Sequence, residues 1–339
     1  MQKNKNKIFL IGVLFVILLA CSLPVRWVGF SNKEEDGLQL LADIGKYIDR
    51  EPTPFQPYRV PATPTPDTKP ITGALVPNPG LLPPEDQINI LLLGSDWRPN
   101  SGFRTDVVLL VSINLKEAAV NLISFPRDLW VEIPGLQEER INTAMGYGGF
   151  PLLKSTFEHN FAIPVDYYMM TNFSGFVSIV NTIGGIEINA SQNTADTCDI
   201  SYLQEKWCSV GPGPVSLDGE LALWYVRSRY TSNDFDRTRR AQEVLEGLFK
   251  KLMSSDAISK APDVYNQFIS SVETDLAFED IINLIAISPA ILSEPSRVSR
   301  FTIGPDQVTS YVIPSSGANV LLPNYPAIWE IVKTAIYYK

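Results

Sequence analysis

The sequence predicts an α/β fold, an α-β-α layered sandwich with a mixed central sheet, preceded by one N-terminal transmembrane helix and a Pro-rich linker. Three observations lead there. Residues 88–93, 107–113 and 119–125 are continuous apolar runs of strand length, as expected of strands buried on both faces. Helical periodicity follows at residues 149–161, 173–183, 218–223 and 236–253. Strands interleaved with helices favour layers packed about one sheet.

The chain divides into residues 1–30, a cytoplasmic stub and membrane anchor; 31–86, a juxtamembrane helix and linker; and 87–339, an extracytoplasmic domain. Lys3, Lys5 and Lys7 precede an uncharged run at residues 8–25. As a helix that run spans about 27 Å, close to the ~30 Å hydrocarbon core. Lysines ahead of the run keep the amino end in the cytoplasm and place the rest outside. A cleaved signal peptide and lipoprotein processing at Cys21 are the alternatives, and both also put the body outside the cytoplasm. Residues 37–50 carry Leu38, Leu41, Ile44 and Ile48 at helical spacing. Residues 51–86 hold eleven prolines, too many for a packed core, and read as an extended spacer.

Within the domain, residues 166–171, 297–303 and 308–312 read as further strands, and 278–287 and 326–338 as helices. Residues 224–230 alternate as a strand does, which sets Arg227 and Arg229 on one face. Two arginines side by side on a strand repel unless an anion lies between them. Cys198 and Cys208 lie close together in a polar loop, where an oxidising compartment can bridge them. That pair alone lacks the further ligands of a zinc site.

The chain is acidic, with a formal net charge of −9, which argues against non-specific nucleic-acid binding. Yet nine of its fourteen arginines fall in three short stretches: Arg98, Arg104 and Arg127; Arg140; and Arg227, Arg229, Arg237, Arg239 and Arg240. Between residues 88 and 248 the only lysines are Lys116, Lys154 and Lys206. A solvated basic surface would mix the two residue types. Arginine alone points to planar, two-pronged recognition of phosphate or carboxylate.

The motifs sit at strand ends, where open α/β sheets form their sites. Gly94-Ser-Asp-Trp-Arg98 follows the first strand, and Arg104-Thr-Asp106 leads into the second. Asp96 and Asp106 can share one hard divalent cation, Mg²⁺ or Mn²⁺, in a chain whose single histidine, His159, disfavours zinc. Their plainer reading is as turn or capping residues. Ser124-Phe-Pro-Arg-Asp128 ends the third strand, and Pro126 stops the ladder so that Arg127 and Asp128 leave on one edge. A surface Arg–Asp pair is the plainer reading there. Asp234-Phe-Asp-Arg-Thr-Arg-Arg240 opens a helix, with Arg237 and Arg240 on a shared face. No nucleophilic triad is available, and Tyr147-Gly-Gly149 lacks the lysine and serine of a P-loop.

In order and spacing these motifs resemble the LytR–CpsA–Psr family of bacterial envelope proteins, over about residues 88–252. Arg140-Ile-Asn142, Asp166-Tyr-Tyr168, Asn172-Phe-Ser-Gly-Phe176, Gly184-Gly-Ile186, Leu217-Asp-Gly-Glu-Leu-Ala-Leu223 and Tyr225-Val-Arg-Ser-Arg229 belong to the same resemblance. It implies a catalytic α-β-α domain outside the membrane, moving a glycan polymer from a polyprenyl-diphosphate carrier to peptidoglycan and releasing polyprenyl phosphate. It implies that Arg98, Arg104, Arg127, Arg227, Arg229, Arg237 and Arg240 face the diphosphate, and that Asp96 and Asp106 hold the metal. Asp128 is the candidate base for the acceptor hydroxyl. Phe173, Phe176, Val177 and Val180 can line a groove for the lipid tail, although such a stripe is more often plain core. The rival readings are a polyprenyl-diphosphate hydrolase and a non-catalytic envelope binding or regulatory protein. The family's glutamine after the last arginine is displaced here: Ala241 follows Arg240, and Gln242 comes next.

Overall fold

The computed structural model describes residues 81–97, 103–229, 234–254 and 261–337. The expected membrane run at 8–25, Cys21, the helix at 37–50, the linker up to residue 80, and Arg98 lie outside the described residues. Among the described residues no helix is long and apolar enough to cross a membrane.

In chain order the strands are β1 (Gln87–Ser95), β2 (Thr105–Asn114), β3 (Ala119–Phe125), β4 (Trp130–Glu132), β5 (Glu138–Arg140), β6 (Tyr167–Asn172), β7 (Ile186–Ala190), β8 (Thr194–Thr197), β9 (Trp207–Val210), β10 (Gly213–Leu217), β11 (Val272–Thr274), β12 (Val298–Thr302), β13 (Val308–Val312) and β14 (Asn319–Pro323). The helices are α1 (Ala144–Phe161), α2 (Phe173–Thr182), α3 (Gly219–Arg227), α4 (Asp234–Leu252), α5 (Ala261–Ser271), α6 (Phe278–Ser293) and α7 (Tyr325–Val332).

The central sheet is six-stranded, in the order β11-β6-β1-β2-β3-β12. β1, β2 and β3 are antiparallel neighbours, while β6 runs parallel to β1 and β12 parallel to β3, so the sheet is mixed as expected. On one face Leu91, Leu110 and Ile123 are fully buried against Met145, Leu153 and Phe157 of α1 and Ile328 and Val332 of α7. Each such side chain contributes roughly 1.5–3 kcal/mol of hydrophobic stabilisation. On the other face Ile90 and Ile113 pack with Leu276 and with Leu284 and Ile287 of α6. A third cluster, with Val180, Ile188, Tyr225 and Val244, joins α2, α3 and α4 to the β7–β10 ribbon. Both edge strands, β11 and β12, come from residues beyond 252, where the resemblance read from sequence stops.

Two expectations are corrected. Residues 224–230 do not form a strand: α3 runs through Arg227, and only Ser228 and Arg229 of the described residues lie beyond it. The Asp218 side chain caps this helix by accepting from Leu221 N at 2.9 Å, and Ala222, Trp224 and Tyr225 are buried at helical spacing. Arg227 and Arg229 therefore share no strand face, and the repulsion argument lapses. α1 starts at Ala144 rather than 149, with a break at Gly149 (φ 67°, ψ −162°) that only glycine adopts freely. Gly219 is demanded by packing, because a Cβ there would lie 2.3 Å from the Val177 carbonyl oxygen of α2.

Several elements were not foreseen: the short pairs β4–β5 and β8–β9, the β7–β10 ribbon, and β11 and β14. Cys198 and Cys208 are disulfide-bonded and close the loop between β8 and β9.

Candidate functional site

Antiparallel pairing brings the carboxyl end of β1, the amino end of β2 and the carboxyl end of β3 to one edge of the sheet. The carboxyl end of β6 joins them, since Asn172 pairs with Ser95. Asp96, Arg104, Asp106, Arg127 and Asp128 all leave the sheet at this edge. Asp96 Oδ1 accepts from Arg104 N at 2.7 Å, and its Oδ2 lies 3.8 Å from Arg104 Nε. The Arg104 side chain is otherwise open to solvent, 57% exposed.

Next to it lies a chain of ion pairs. Arg127 Nη1 donates to Asp106 Oδ1 at 2.7 Å, and Arg127 Nε is 3.3 Å from Asp128 Oδ2. Asp128 Oδ1 is 3.1 Å from Arg140 Nε, and Arg140 Nη2 donates to the Asn319 carbonyl at 2.7 Å. These groups are largely screened from water, so the network is more than a surface Arg–Asp pair. Arg140, one of the clustered arginines but not among those the resemblance gives to the diphosphate, joins this network through Asp128. Buried Asn142 lies beneath: its carbonyl accepts from Thr105 Oγ1 at 3.4 Å, while its Oδ1 has no hydrogen-bond partner.

The second arginine group comes from helices. Arg227, in the last turn of α3, stands with its guanidinium 4.3 Å from the ring centroid of Phe173, the first residue of α2. Beyond it the backbone is held from two sides. Asp196 Oδ2, on β8, accepts from Ser228 Oγ at 2.9 Å and from Arg229 N at 2.7 Å. Arg240 Nη2 donates to the Ser228 carbonyl, and its guanidinium lies 5.7 Å from the Tyr225 ring centroid. The resemblance gives Arg240 to the diphosphate, but its side chain is fully shut off from solvent (0% exposed) and what it visibly holds is Ser228. Burial lowers its pKa from the ordinary arginine value. Arg237 is buried on the same helix face, as its spacing predicts, and Arg229 is exposed.

Arg239 turns elsewhere. It donates to Glu243 Oε1 at 2.7 Å and Ser191 Oγ at 2.6 Å, while Tyr225 OH donates to Glu243 Oε2 at 2.6 Å. Burial pushes the Glu243 carboxyl up, but the Tyr225 and Ser191 hydroxyls and Arg239 hold it below the usual range. Burial and Glu243 raise the Tyr225 phenol.

Gln242, the displaced glutamine, ties the two groups together. It is buried and donates to Ser124 Oγ at 2.7 Å and to the Phe301 carbonyl at 3.1 Å. Helix α4, which carries Arg237 and Arg240, is thereby fastened to β3 three residues before Arg127.

A cavity of about 310 Å³ opens beside Arg227, lined also by Trp224, Ser228, Asp196, Thr197 and Glu220. Among the described residues no group of three or more His, Cys, Asp or Glu could hold a metal ion. Asp96 and Asp106 thus form no all-protein cage. Asp96 is engaged by Arg104 and Asp106 by Arg127. His159 faces Glu132, with Nε2 3.1 Å from Oε2, outside this edge. Of the apolar stripe on α2, Val180 is core with Phe176 packed against it, and Phe173 lies under Arg227.

Known proteins share this arrangement of chain. The LytR_cpsA_psr family matches residues 67–324. The polyisoprenyl-teichoic acid–peptidoglycan teichoic acid transferase TagT of Bacillus subtilis is 30% identical over 262 residues, covering 74% of this chain and 76% of that protein. The corresponding transferase TagU of Enterococcus faecalis is 31% identical over 204 residues, covering 58% of this chain, which spans only 64% of the length of TagU. A solved structure of TagT bound to LI-WTA superposes with a TM-score of 0.56 at 30% identity, covering 74% of this chain and 90% of that one. The match runs past residue 252 and so takes in both edge strands and the hairpin that holds Asn319. The chain belongs to the LytR–CpsA–Psr family.

Proposed function

We propose that this protein transfers a glycopolymer from a polyprenyl-diphosphate carrier to peptidoglycan and releases polyprenyl phosphate. The observation that carries the reading is the convergence of arginines from strand ends and helices on one sheet edge in an acidic chain. Relatives named as teichoic acid transferases, and the LI-WTA complex of TagT, support it.

The chemistry follows from charge. An acceptor hydroxyl attacks the phosphorus that bears the glycan. The bridging P–O bond breaks, and polyprenyl phosphate leaves with the electron pair. Negative charge grows on the departing phosphate, so guanidinium groups fixed beforehand lower the barrier. Arg127 is held in place by Asp106, and Arg227 rests on the Phe173 ring. Arg98, Arg104, Arg229 and Arg237 complete the set on this reading, and Arg240 steadies Ser228 behind them. Asp128 is the candidate base for the acceptor proton. It would release Arg127 or Arg140 as it takes that proton. Asp96 and Asp106 are the residues that would hold Mg²⁺ or Mn²⁺, which would supply further positive charge.

The test is transfer by purified Arg127→Ala and Arg227→Ala, with a lipid-diphosphate glycan donor and peptidoglycan. Each should fall by at least about 100-fold with the fold intact by circular dichroism. Wild-type rates in both variants reject the proposal. Free glycan instead of glycan joined to peptidoglycan favours the hydrolase.

A further inference from the structure

The disulfide-closed β8–β9 hairpin exposes large apolar side chains that have no part in holding a diphosphate. Tyr202, Leu203 and Trp207 are 57%, 43% and 46% exposed at its tip. They are also held still. The Cys198–Cys208 bond closes the loop. Ser201 donates from N and Oγ to the two Glu220 oxygens at 2.7 and 2.8 Å. Tyr202 OH donates to Asp218, the residue that caps α3. Burial and the Asp218 contact push this phenol up to about 12. The tip is thus fastened to one end of α3, whose other end carries Arg227. Trp207 pairs across the ladder with Thr197, which lines the cavity beside Arg227.

Charge selects the occupant. On and under this loop Asp199 pairs with Lys206, Glu220 accepts from Ser201, Asp218 accepts from Tyr202, and Glu205 precedes Lys206, so acids outnumber the lysine. Such a surface disfavours an anionic polymer or an anionic bilayer. It suits an uncharged chain with flat C–H faces for aromatic rings and hydroxyl or amide donors for carboxylates. Rigid Tyr and Trp rings give such contact area at small entropic loss.

We propose that the hairpin tip binds the uncharged amino-sugar backbone of the acceptor strand and leads its hydroxyl toward the cavity beside Arg227. The word acceptor rests on the transfer reading; the binding does not.

Calorimetry on the full chain in nanodiscs of neutral phospholipid tests this with an N-acetylglucosamine hexamer. A glycerol-phosphate polymer and anionic phospholipid vesicles serve as competitors. Saturable binding of the hexamer is expected, weakened about 10-fold by Trp207→Ala and by Tyr202→Ala, and largely kept by Trp207→Phe. Equal thermal midpoints would show that the variants fold. No binding to the wild type, unchanged affinity in Trp207→Ala, or tighter binding of the anionic polymer or vesicles overturns the proposal. Because the readout is binding, a failed transfer assay leaves this result standing, and the two proposals fall separately.

Discussion

Arg127 and Arg140 alternate with Asp106 and Asp128 in a row of ion pairs, whereas Arg227 rests on a phenylalanine face and Arg240 on a backbone carbonyl. The strand-edge group is balanced by its own acids and is fixed by them. The visible contacts of the helix-borne group are a ring and a backbone carbonyl. The first arrangement gives direction to a charge-assisted hydrogen bond, and the second supplies field. An anion entering between them meets donors fixed by carboxylates on one side and donors fixed by a ring and a carbonyl on the other.

Four substitutions break or sharpen this contrast. The largest effect is expected from the buried member. Arg240→Met should lower stability by about 4 kcal/mol, since it removes a buried charged donor and strands the Ser228 carbonyl. Arg127→Met, at the partly screened edge, should cost less, about 2 kcal/mol, while still abolishing transfer. Urea unfolding of both variants decides it; equal losses would erase the distinction between the groups.

Asp196→Asn comes next. It keeps the side-chain shape but weakens the grip on Ser228 Oγ and Arg229 N. A loss of about 1 kcal/mol is expected. The turnover number should fall about tenfold with KM nearly unchanged, because the arginine segment is mispositioned rather than missing. A pure KM effect would place Asp196 in ground-state binding instead.

The smallest effect concerns Glu243, away from the edge. Its carboxyl is depressed in the folded chain, so it stabilises at pH values above its unfolded pKa of about 4.3, and that contribution is lost as pH falls through the lower folded value. Glu243→Gln should flatten the acid side of the stability curve by less than about 1 kcal/mol. Thermal melts at pH 6 and pH 3 that drop in parallel for both proteins would contradict this.

Much of the site was legible because its residues stand where strand chemistry forces them. Gly94-Ser-Asp96 and Pro126-Arg-Asp128 end apolar runs, and a buried strand must leave the sheet somewhere. The helix around Arg227 was misread because Trp224–Arg227 happens to alternate, while the cap at Asp218 and the close fit of Gly219 on Val177 decide for helix. Arg140 lies in a three-residue strand, too short to carry a period, and Asp196 in a polar hairpin shaped by a crosslink. Burial of Arg240 depends on three helices meeting, which no local pattern encodes.

The late origin of β11 and β12 bears on synthesis. A nascent chain ending at residue 252 already carries β1, β2, β3 and β6, but the outer ladders of β6 and β3 have nothing to pair with. Until the last stretch emerges, those backbone groups invite association with neighbouring chains. Helper proteins that shield such half-built sheets would matter most in that interval, and a premature stop there should yield aggregate rather than a smaller folded protein.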